Sequence, residues 1–108
     1  MDNPRVFFEE HVPMEMGRIQ RILPRDVVVA FHIDGPNGGH WQVASQSTAV
    51  MPVDLAPKDC EIFCSAEDFM AILNGSLSPQ DAFEEGRLQV NGDIGLLLKL
   101  RRMFITAA

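Results

Sequence analysis

The chain reads as an α+β fold, an α/β sandwich in which a five-stranded, mostly antiparallel sheet carries helices packed on one face. Three observations predict it. Stretches with the two-residue apolar period of a half-covered strand alternate with stretches of helical period, in the order helix, helix, four strands, two helices, strand, helix. Helix starts are marked by caps, at Asn3-Pro4, Ser65-x-x-Asp68 and Ser78-Pro79-Gln80-Asp81. At 108 residues, with 46% hydrophobic and 22% charged residues, the chain is expected to form a single domain, 1–108, with one modest core.

Residues 1–25 form an N-terminal helical segment. Phe7, Phe8 and Val12 supply a short amphipathic turn or two, and Pro13 is expected to interrupt it because it lacks an N–H. Met16, Ile19, Ile22 and Leu23 then recur at helical spacing until Pro24 closes that helix. From Asp26 to Asp34, Val27, Val29, Phe31 and Ile33 share one strand face, and Val28, Ala30 and His32 share the other. The cluster Gly35-Pro36-Asn37-Gly38-Gly39 turns the chain into a second strand, His40 to Ala44, with Trp41 and Val43 on one face. A short strand, Thr48 to Met51, is expected to end at Pro52. Cys60 to Cys64 is the fourth strand, with Cys60, Ile62 and Cys64 on one face. The helix opened by Ser65 carries Phe69, Met70, Ile72 and Leu73 and stops at Asn74-Gly75. The next, shorter helix places Ala82 and Phe83 as buried candidates and stops at Gly86. Arg87 to Asn91 is the fifth strand, with Leu88 and Val90 inward.

Charge and composition exclude several functions. Fifteen acids against nine Lys+Arg give a net charge of −6, which argues against binding nucleic acid, an interaction that rests on neutralising phosphates. No apolar run approaches the roughly 20 residues that span a bilayer, and no basic start with an apolar run marks a signal peptide, so a cytoplasmic location is expected. Cys60 and Cys64 on one strand would sit about 13 Å apart, beyond the roughly 7 Å that a disulfide allows. They read as reduced, buried thiols. His11, His32 and His40 fall in separate elements without ligand spacing, so no metal and no cofactor is expected, and His32 and His40 are placed on a solvated outer face. No nucleophile is paired with a base, and the glycine cluster lacks the Lys-Ser/Thr of a phosphate loop; an enzyme is not expected.

What remains is an apolar surplus. After the Asp93 cap, Ile94, Leu96, Leu97, Leu98, Leu100, Met103 and Phe104 cover an arc of about 200°, whereas one core contact needs a stripe of only about 100°. The excess must be hidden by more protein, a partner chain or an apolar ligand. Six methionines, a residue that adapts to varied apolar shapes, point the same way.

The series Ser65-Ala66-Glu67-Asp68-Phe69, Asn74-Gly75, then Pro79-x-x-Ala82-Phe83-x-x-Gly86-Arg87-Leu88-x-Val90-x-Gly92-Asp93-x-Gly95-Leu96-x-Leu98-Lys99-Leu100 resembles the sterol carrier protein domain of the type-two class. Phe31-x-Ile33, the glycine turn and Trp41-x-Val43 stand where that family has its first hairpin. The resemblance covers roughly residues 28 to 104; the first 25 match loosely. It implies an apolar tunnel between sheet and helices and non-catalytic carriage of a lipid: a fatty acid, fatty acyl-CoA, sterol or isoprenoid/quinone intermediate. It implies a floor of Phe31, Ile33, Trp41 and Val43, one wall of Phe69, Leu73, Leu77 and Phe83, and another of Leu97, Leu100 and Phe104. Unfused to a thiolase or dehydrogenase domain and without a peroxisomal tail, the chain is similar to a stand-alone, prokaryotic-like member. Arg18, Arg21 and Arg25 are candidates to meet an anionic head group at the tunnel mouth. A carrier of this kind is expected to touch membranes transiently. The competing expectation is a protein–protein interaction or homodimerisation module that uses the apolar C-terminal helix.

Overall fold

The computed structural model describes residues 3–15, 17, 21, 26–44, 51–52, 58–93 and 95–96. Its centre is a five-stranded sheet in the order β3-β2-β1-β4-β5. The strands are β1 (Val28–Asp34), β2 (Gly39–Ala44), β3 (Met51–Pro52), β4 (Cys60–Ser65) and β5 (Leu88–Gly92). β1 pairs with β2, β2 with β3 and β4 with β5 antiparallel, while β1 and β4 run parallel in the middle of the sheet. The sheet is therefore mixed but mostly antiparallel. Asp59 secures the entry to the central pair: its Oδ2 accepts from Val28 N–H at 2.8 Å and its own N–H donates to Val28 O at 2.9 Å.

The register puts the expected apolar rows together. Phe31 faces Trp41 on β2 and Ile62 on β4, and Ile62 faces Val90 on β5. Alternation turns Val29, Phe31, Ile33, Trp41, Val43, Cys60, Ile62, Cys64 and Leu88 to one face, all buried. Ala30 and Gln42, on the opposite face, are buried as well.

Helix α3 (Ala66–Leu73) packs on β1 and β4. It starts where the Ser65 Oγ accepts from Asp68 N–H at 3.1 Å, a cap worth about 1 kcal/mol. It buries Ala66, Phe69, Ile72 and Leu73 and ends at Asn74, followed by Gly75. Helix α4 (Pro79–Glu84) repeats the device, with Ser78 Oγ accepting from Asp81 N–H at 3.0 Å, and packs on β5. Ala82 is fully buried, but Phe83 is 41% exposed, against expectation. Neighbouring helical residues diverge by about 100°, so a six-residue helix that seats Ala82 on the sheet turns Phe83 away.

Two prolines correct the sequence reading. Pro13 does not interrupt the first helical segment. The run passes from α1 (Pro4–Val6) through a π-helical turn (Phe7–His11) into α2 (Val12–Met14). Val12 N–H reaches back five residues to Phe7 O, so the hydrogen-bond ladder is already shifted where Pro13 supplies no donor. Pro52 does not end the third strand but belongs to it, paired opposite Trp41. β3 is an edge strand, a place in a sheet where a missing N–H is tolerated. The expected second helix is described only at Gly17 and Arg21, and Thr48 to Val50 lie outside the described residues. So do Ile94 and 97–104 of the expected closing helix; Leu96 is helical and buried.

Candidate functional site

The inner sheet face and the helices above it enclose one apolar layer. Of the residues expected to line a ligand site, Phe31, Ile33, Trp41, Val43, Phe69 and Leu73 all belong to it, and Leu77 packs at its margin. Phe83 stands outside it. Leu97, Leu100 and Phe104 lie outside the described residues.

The layer contains a group that the resemblance did not point to. Phe7, Phe8 and Val12 are completely buried in it. The Phe8 ring stacks on Trp41 at 4.5 Å and 15°, and on Phe69 at 5.3 Å and 21°, so a single ring bridges floor and wall. Phe31 lies 4.9 Å from it, and Phe7 meets Phe8 and Phe69 edge-on at 5.1 and 5.5 Å. The signal was present in sequence, as two adjacent phenylalanines with Val12 four and five residues on. Both rings come from the π turn, and both are seated in the core.

Two features fix Trp41. Gly39 leaves room for the indole: a Cβ there would stand 3.0 Å from Trp41 Cη2. On the outside, Arg5 places its guanidinium carbon 5.7 Å from the ring centroid, within cation–π reach. Arg5 also donates to Gly38 O at 3.0 Å and to Glu9 at 2.9 Å, tying the N-terminal segment to the β1–β2 turn.

Polar groups lie at the edges of this layer. Arg87 donates twice to Asp68 Oδ1, at 2.6 and 3.0 Å, and more weakly to Glu85 at 3.4 Å. The Arg87 hydrogen bonds hold the Asp68 carboxyl below the usual carboxylate range, helped by Ser65. Cys60 and Cys64 are free and buried, as expected. Burial, with Asp93 second, pushes the Cys60 thiol up to about 11. Burial, with Asp68 second, pushes Cys64 up to about 12. At neutral pH these shifts hold both thiols in the protonated form.

Of the two outer-face histidines, His40 is exposed as expected and His32 departs from expectation. His32 is 16% exposed, not solvated. Its Nδ1 lies 2.8 Å from His40 Nδ1, its Nε2 lies 3.2 Å from Glu61 Oε1, and Phe63 stacks on its ring at 4.5 Å. The register explains this: His32 sits opposite both His40 and Phe63, next to Glu61. Among the described residues no group of three or more His, Cys, Asp or Glu is arranged to hold a metal. Arg21, the described member of the expected head-group cluster, is exposed and donates to Gly17 O at 3.3 Å; Arg18 and Arg25 lie outside the described residues.

Two open depressions are lined by described residues alone. One, of about 130 Å³, is lined by Asp26, Val27, Val28 and Ala44. The other, of about 200 Å³, lies between Asp34, Phe63, Cys64, Ser65 and Arg87 and is mostly polar. Neither is lined by the residues expected to contact lipid. No described helix is long and apolar enough to cross a membrane.

Sequence and fold both match known proteins. The profile described as the SCP-2 sterol transfer family matches residues 17–104. Sterol carrier protein 2 of Homo sapiens is 35% identical over 103 residues, which cover 91% of this chain and 19% of the human protein. The chain thus spans about a fifth of that relative's length. Among solved structures, the sterol carrier protein domain 2 of Helicoverpa armigera superposes with a TM-score of 0.69 at 26% identity, covering 96% of this chain and 88% of that one. Palmitated SCP2L2 of Aedes aegypti superposes with a TM-score of 0.69 at 25% identity, covering 93% of each chain. The sandwich, its apolar inner layer and the match over most of its length lead to one conclusion: the chain belongs to the SCP-2 sterol transfer family.

Proposed function

We propose that this domain binds and carries an apolar lipid between the inner face of its sheet and its helices, without catalysis. The observation that carries the reading is the apolar layer itself, in which Phe31, Ile33, Trp41 and Val43 of the sheet face Phe69 and Leu73 of α3. Membership of the SCP-2 family and likeness to a palmitated relative support it. Ligand candidates are a fatty acid, a fatty acyl-CoA, a sterol or an isoprenoid/quinone intermediate. Burying such a chain draws on about 25 cal/mol per Å² of apolar surface, so binding needs no strong polar partner. Thiols pushed up to about 11 and about 12 fit a binding role better than a catalytic one. Arg21, with Arg18 and Arg25, is proposed to meet an anionic head group; unchanged fatty-acid affinity in Arg21→Glu refutes that part.

The test is native mass spectrometry of the purified chain, followed by displacement of a fluorescent fatty acid from delipidated protein. One copurifying lipid per chain and saturable displacement by long-chain fatty acids are expected. No copurifying lipid together with no binding of any long-chain probe overturns the reading. A complex that survives delipidation, seen by light scattering, is what a docking module gives instead.

A further inference from the structure

We infer that Phe8 forms the closed end of the lipid site and sets the length of acyl chain it accepts. The inference rests on the carrier reading above and deepens it. An acyl chain lying on the floor residues beneath α3 would have to pass between Trp41 and Phe69. The Phe8 ring fills that gap, near-parallel to both aromatics, at 15° to one and 21° to the other. No methylene chain passes a space already one ring thick and stacked on both sides. Phe7, edge-on to Phe8 and Phe69, closes the flank.

Three features hold the ring there. Asn3 caps the segment, its Oδ1 accepting from Val6 N–H at 2.9 Å. Arg5 ties it to Gly38 O and lies over Trp41. The π-helical turn, a geometry often found at functional sites, seats Phe7 and Phe8 in the core with Val12. An ordinary α-helical turn would satisfy the backbone without the widened ladder, so the π turn matters through the rings it presents.

Shortening Phe8 leaves a ring-sized apolar void, the kind that stays dry and accepts a benzene-sized guest. A longer acyl chain can fill it, and each further methylene buried gains about fourfold in affinity. The experiment compares the wild type with Phe8→Ala, Phe8→Leu and Phe8→Trp as delipidated full chains. Affinities for dodecanoate, tetradecanoate, hexadecanoate and octadecanoate are measured by displacement of a fluorescent fatty acid. The octadecanoate-to-dodecanoate affinity ratio is expected to rise about tenfold or more in Phe8→Ala and Phe8→Leu, and to fall in Phe8→Trp. A purely structural role for Phe8 weakens all four ligands together and leaves the ratio alone. Ratios within twofold of wild type in the folded variants overturn the inference while the carrier reading stands. A wild type that binds none of the four overturns the inference, and the carrier reading is then decided by the copurifying lipid. Should Phe8→Ala fail to fold, Phe8→Leu and Phe8→Trp keep a large apolar side chain and decide the matter.

Discussion

Cys60 and Cys64 lie on the inner sheet face, beneath the helices, so their reactivity reports whether the apolar layer is closed. The magnitude follows from their ionisation. At pH 8 a thiol with the ordinary value of 9.0 is about 10% thiolate, and the unfolded chain reacts at that level. With Cys60 at about 11 and Cys64 at about 12, the folded protein holds about 0.1% and about 0.01% thiolate. Ionisation alone therefore slows a thiolate-specific reagent about 100-fold at Cys60 and about 1000-fold at Cys64. Steric closure slows it further. The assay is the stopped-flow reaction of an aromatic disulfide with native and urea-unfolded protein, using Cys60→Ala and Cys64→Ala to assign the phases. Both native thiols are expected to react slowly, Cys64 the slower, and added long-chain fatty acid is expected to slow them again by holding the layers together. Native rates within about tenfold of the unfolded rates would refute the closed layer and the cause assigned to the shifts.

Two further predictions concern stability. Asp68 has a folded value below its unfolded 3.8, so its pairing with Arg87 adds stability that is present above that value and lost as pH falls through the lower folded one. Thermal melts from pH 6 down to pH 2 should lose part of their acid sensitivity in Asp68→Asn, and an unchanged pH profile counts against the pairing. Gly92 has φ +103° and a Cβ there would run into the Asp59 carbonyl and Cys60 Cα, whereas Gly75, at φ +80°, has open space around it. By urea midpoint, Gly92→Ala is expected to cost roughly 3 kcal/mol, against about 1–2 kcal/mol for Gly75→Ala; equal costs would show that the crowding at Gly92 relaxes freely.

Much of the fold was legible because its signals are local. The caps at Ser65 and Ser78, the turn at Gly35 to Gly39 and the alternation of β1, β2 and β4 each depend on a few neighbouring residues. The parallel pairing of β1 with β4 was not legible, since no local pattern records which distant strand will lie alongside. The same limit explains His32. Its face was read correctly, but its partners His40 and Glu61 come from two other strands and meet it through register alone. For the site, Phe31, Trp41 and Phe69 were legible as apolar positions, and so were Phe7 and Phe8. That Phe8 slots between Trp41 and Phe69 was not.

The residues taken in order determined the element types, the apolar face of each strand, the helix boundaries set by serine caps and the apolar chemistry of the inner layer. Those properties follow from hydrogen bonds and periodicities that span one or two turns. Folding in three dimensions decided that Pro13 could stay inside a helix, because the hydrogen-bond ladder shifts to the i+5 pattern just before it. It also decided that Phe8 stacks on both Trp41 and Phe69, because such stacking requires rings from three separate segments to converge within a few ångströms.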